Sequence, residues 1–92
     1  MFFILIEYKV PFEQVEPYLE KHILFVRTYV DSGVFLLTGK KIPRTGGVIL
    51  AKVESREKLM ILLKEDPFME FELAEFDITE IQLSQVSPSL LD

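Results

Sequence analysis

Met1–Ile6 (Met-Phe-Phe-Ile-Leu-Ile) is an unbroken apolar run that ends at Glu7. Strand side chains alternate between the two faces of a sheet, so this run predicts a strand that is apolar on both. Phe2, Ile4 and Ile6 fall on one face, Phe3 and Leu5 on the other. The doubling recurs twice: Val34 and Leu36 oppose Phe35 and Leu37, and Ile49 and Ala51 oppose Val48 and Leu50. A 92-residue chain is one domain with few helices to spare. Helices packed on one side leave the other side in water, where such a patch exceeds what monomers carry. Each large apolar side chain contributes on the order of 1.5–3 kcal/mol when fully buried. A second copy, packed sheet to sheet, is therefore the expected cover. The tail Ser84–Asp92, with only Val86, Leu90 and Leu91 as aliphatics, is too short for that role.

The rest of the chain supplies the helices. Val15, Tyr18, Leu19, His22, Phe25, Val26 and Tyr29 recur at three- and four-residue spacing, one stripe of a helix. Pro17 is out of place deep in a helix, so Pro11–Glu16 forms either a preceding turn or a kinked first turn. Gly33 is the expected stop. Strands follow at Val34–Gly39 and Gly47–Val53, joined by the basic loop Lys40–Gly46. Ser55 opens a short helix carrying Leu59, Met60, Leu62 and Leu63, and Asp66-Pro67 opens another turn, with Phe68 and Phe71 inward. Ala74–Leu83 is the last strand. The order βαββαβ predicts an α+β, ferredoxin-like sandwich spanning residues 1–83, with residues 84–92 as a tail able to pack on the partner subunit.

Composition narrows the chemistry. Ten Lys and Arg against fifteen Asp and Glu argue against nucleic acid, which needs clustered cations. No cysteine means no disulfide, thiolate metal site or thiol nucleophile, and one histidine cannot build a multi-histidine metal site within a single subunit. No metal and no organic cofactor is expected. The apolar run is far below the roughly 18 residues of a membrane span, and it lacks the basic start of a secretory signal, so no membrane role and a cytoplasmic location are expected.

His22, then Asp31-Ser32-Gly33-Val34-Phe35-Leu36-Leu37-Thr38-Gly39, Ile42-Pro43-Arg44-Thr45-Gly46-Gly47-Val48-Ile49-Leu50-Ala51 and Glu65-Asp66-Pro67-Phe68 resemble, in that order, the YciI-like (YCII-related) family. The resemblance runs from Met1 to about Leu83, with Lys40 where many relatives carry proline. It implies a ferredoxin-like fold that dimerises as an α/β barrel. It also implies an active site built on the helix histidine and an acidic residue, placed here on His22 and Asp66. Most members have no assigned reaction; a few are linked to dehalogenation or lactone chemistry.

Each candidate has a plain structural alternative. Histidine is the side chain that titrates near neutral pH, and His22 lies on the apolar stripe. It is either a core residue bonded to a carbonyl or a general acid or base. Asp66 is a helix cap, and one carboxylate oxygen could cap while the other orients the imidazole. Asp31, nine residues further along the same helix, is too far to pair with His22. Arg44, beside Lys40 and Lys41, is either a solvated hairpin tip or an anchor for a substrate anion, helped by the backbone at Gly46 and Gly47. Phe68 completes the expected substrate contacts. The leading expectation is a small homodimeric enzyme, extendable to higher assembly, that performs isomerisation or elimination on a small anionic organic molecule. The alternative is a non-catalytic homodimeric module for small-ligand binding or protein interaction.

Overall fold

The computed structural model describes residues 1–91. Four strands, β1 (Phe2–Tyr8), β2 (Phe35–Lys40), β3 (Gly46–Ala51) and β4 (Ala74–Glu80), form one sheet in the order β2-β3-β1-β4. All neighbours are antiparallel. Helices α1 (Phe12–Val15), α2 (Leu19–Asp31), α3 (Arg56–Leu63) and α4 (Pro67–Glu70) complete an α+β, ferredoxin-like architecture.

Local chemistry sets the element ends. Pro17 sits in the first turn of a 3₁₀ segment, Glu16–Tyr18, between α1 and α2, where its missing N–H costs nothing. This is the kinked first turn of the two sequence options. Gly33, at φ +80°, closes α2: its N–H donates to the Val30 carbonyl at 3.0 Å and the Val34 N–H to that of Tyr29 at 3.0 Å. That paired pattern is a Schellman cap, which needs a left-handed residue. Ser55 caps α3 by accepting from the Lys58 N–H at 3.2 Å.

Phe2, Ile4 and Ile6 of β1 and Ile49 and Ala51 of β3 meet Val15, Phe25, Leu59, Leu63 and Phe68 in the core. Phe25, Tyr29 and Phe35 form an aromatic triangle that packs α2 on β2, with centroids 5.3–5.7 Å apart.

Four expectations are corrected. Phe35 and Leu37 do not share a face: a bulge between them puts Phe35 opposite Ala51 on the helix side and Leu37 opposite Leu50 on the open side. β2 and β3 sit one residue away from their expected starts, and β3 ends at Ala51 because the β2 pairing ends there. β4 stops at Glu80 instead of Leu83, since its partner β1 begins at Phe2, opposite Glu80. Phe71 is 48% exposed rather than inward; its ring lies against Tyr18 at 4.9 Å.

The open face carries Phe3, Leu5, Leu37, Val48 and Leu50 in adjacent register positions, with Glu75 and Asp77 on the β4 side. Leu50 is buried, whereas Leu5 remains 37% exposed. In the tail, Val86 and Leu90 are about 60% exposed, so they do not bury themselves on that face. Asp92, the last residue of the tail, lies outside the described residues. No helix among the described residues is long and apolar enough to cross a membrane.

Candidate active site

The Asp66-Pro67 pair starts α4: Asp66 is extended, and its Oδ1 accepts the Phe68 N–H at 2.9 Å. The turn buries Asp66 completely and presents it to α2. There the same Oδ1 lies 2.9 Å from Nδ1 of His22, whose side chain is 17% exposed. Capping and imidazole contact therefore share one oxygen, not the two expected. Oδ2 is buried with no hydrogen-bond partner among the described residues. A carboxylate in its ionised form can only accept, and in that form of Asp66 the Nδ1 proton belongs to histidine and Nε2 is the basic nitrogen.

Phe68 holds the ring from the other side. It stacks on His22 with centroids 3.9 Å apart and planes 8° from parallel. Tyr8 meets the Phe68 edge at 5.7 Å and Phe12 at 6.3 Å, and the Arg44 guanidinium sits 5.1 Å over the Phe12 ring. A column of rings thus runs from His22 to Arg44, fixing a hairpin side chain that is otherwise exposed. Tyr8 and Phe12 escaped the sequence reading; only their places at the end of the first strand and just after Pro11 could have suggested them.

The column flanks a cleft of about 600 Å³ lined by His22, Arg44, Gly46 and Phe68. Asp66 stands behind His22 rather than in the wall. The cleft exists because the helix face of the β2–β3 hairpin end offers Thr38 opposite Ile49 and Lys40 opposite Gly47, too little bulk to meet α2. Ile23, Val26 and Val30 of α2 roof it, and Ile6 and Ile49 floor it. Gly46 has a structural reason of its own: a Cβ there would collide with the Ile6 carbonyl oxygen. At Gly47 a Cβ would lie 2.7 Å from the Gly39 carbonyl oxygen. Two amides of the loop are spent internally, Lys41 on the Gly46 carbonyl at 2.9 Å and Thr45 on that of Pro43 at 2.8 Å. The Ile42–Pro43 bond in this loop is cis. Asp31 lines the far end of the cleft and makes no contact with His22.

A second tie links the same two segments. The Tyr29 hydroxyl donates to the Glu65 carboxylate at 2.7 and 2.8 Å, two helical turns beyond His22 and one residue before Asp66. Hydrogen bonding to Glu65, then burial and the carboxylate charge, push the Tyr29 phenol above its usual value. Among the described residues, no three His, Cys, Asp or Glu side chains converge on a possible metal position.

The family model of the YCII-related domain matches residues 1–82. The chain belongs to that family. Comparison with curated proteins yields no match. Among solved structures, this YCII-related chain is similar to 5-chloro-2-hydroxyhydroquinone dehydrochlorinase from Burkholderia phenoliruptrix AC1100, solved in complex with 2,5-dihydroxybenzoquinone. The likeness has a TM-score of 0.70 at 14% identity and covers 91% of this chain and 96% of the other.

Proposed function

We propose that this YCII-related protein is a small homodimeric enzyme that moves a proton on a small anionic organic substrate, in an isomerisation or an elimination. One observation carries the reading: the sole histidine stands at an apolar cleft with Nδ1 held by a fully buried carboxylate. In this reading Nε2 takes a proton from a substrate carbon. The electron pair left behind either expels a leaving group as an anion or shifts along the molecule, and the imidazolium returns its proton to solvent or to a second carbon. Asp66 stabilises the imidazolium and holds its tautomer; Phe68 keeps the ring in plane; Arg44 and the Gly46 backbone contact the substrate. The dehydrochlorinase with the same fold supports the elimination variant as a class of chemistry. A second copy of the chain covers the open sheet face and completes the compartment.

The test is a turnover screen, followed by NMR, of purified protein against small organic acids and halogenated hydroquinones. For any compound converted, His22→Ala should keep the fold and lower turnover about 10²- to 10⁴-fold, the usual contribution of a general acid or base. Unchanged turnover, or loss of fold without a converted compound, rejects the reading. Binding without conversion favours the ligand-binding module.

A further inference from the structure

The chain carries a net charge of −5, yet its cleft does not share that sign. Arg27 of α2, Lys40 at the end of β2 and Arg44 of the hairpin all line it, against one carboxylate, Asp31. None of the three cations makes an ion pair among the described residues. Arg27 and Asp31 are four residues apart on α2, the usual spacing of a helix pair, and still do not pair. Most of the remaining wall is apolar: Ile6, Ile23, Val26, Val30 and Ile49, with the Phe68 ring beside His22. Charges at the mouth of a low-dielectric cleft attract counter-ions more strongly than the same charges on open surface.

We propose that the cleft takes an amphipathic organic monoanion end-on, with its ionised group among Arg27, Lys40 and Arg44 and its apolar body between α2 and the sheet. Arg27 is the residue that decides charge selectivity. It follows His22 by five residues, about 7.5 Å of helix rise, so the acid group and the imidazole occupy separate positions along α2. Arg44, seated over the Phe12 ring, supplies a guanidinium, and Lys40 adds an ammonium on the same cleft. The reacting end of this picture rests on the acid–base reading above; the anion site stands apart from it.

The test measures binding of benzoate, cinnamate and octanoate, each against its neutral amide, by calorimetry and by shifts of the His22 ring signals. At low ionic strength at least one acid should bind about 5- to 20-fold more tightly than its amide, and salt should shrink the ratio. Arg27→Gln should bring the ratio to within about 2-fold of unity without changing the melting temperature, while Lys64→Gln, on the outer surface, should leave it intact. If no acid outbinds its amide, or if Arg27→Gln preserves the ratio, the proposal is overturned. Intact charge discrimination beside a His22→Ala variant with normal turnover would instead reject the acid–base chemistry and keep the anion site.

Discussion

Asp66 carries two tasks on one atom. Its Oδ1 caps α4 and holds His22, while Oδ2 is buried without a partner among the described residues, a state that costs free energy and is retained where geometry demands it. Asp66→Asn keeps an oxygen for both contacts and removes the charge, whereas Asp66→Ala removes cap and contact together. Asp66→Ala is expected to lose about 2–4 kcal/mol of stability in denaturant unfolding, the sum of a lost cap and a largely buried imidazole left without its partner. Nitrogen NMR of the His22 ring should show a fixed Nδ1–H tautomer in the wild type and a mixture in Asp66→Ala. An unchanged tautomer would mean that Asp66 does not orient the ring. The sequence identified Asp66 as a cap and proposed its partner. The shared oxygen was illegible, since it depends on where α2 passes over the turn.

At the scale of elements, α2 and the turn before α4 are tied twice, by His22–Asp66 and by Tyr29–Glu65. The raised Tyr29 phenol means that this second tie is fully present below the ordinary tyrosine value and is lost as pH rises through the higher folded-state value. Phenolate absorbance in alkaline titration should therefore show one of the three tyrosines ionising after the others. Glu65→Gln should bring it back toward them, since the carboxylate charge and its hydrogen bond raise it. Coincident titration of all three in the wild type would remove the tie from solution. Element types and most caps were readable in advance, because Gly33, Ser55 and Asp66-Pro67 act within a few residues of themselves. The bulge after Phe35 was not, because it is set by pairing with β3, and it parts Phe35 from Leu37, which the plain alternation had put on one face.

For the whole molecule, the apolar open face is the feature with the largest consequence. Leu5 remains 37% exposed, and Val86 and Leu90 of the tail are themselves about 60% exposed. In sedimentation the wild type should run at twice the chain mass at micromolar concentration, and Leu5→Lys, which places a charge at the centre of that face, should run as a folded monomer. A monomeric wild type would end the dimer reading. Alternation of side chains in short strands made this face visible from the sequence alone, as did helical spacing for the buried stripe holding His22. These are local periodicities that the covalent chain carries with it. Only the tertiary structure set Phe68 against His22, Arg44 over Phe12, and Arg27 with Lys40 around one cleft. Those contacts join residues far apart in sequence, and the cleft itself is a shortfall of bulk between α2 and the hairpin that no single segment encodes.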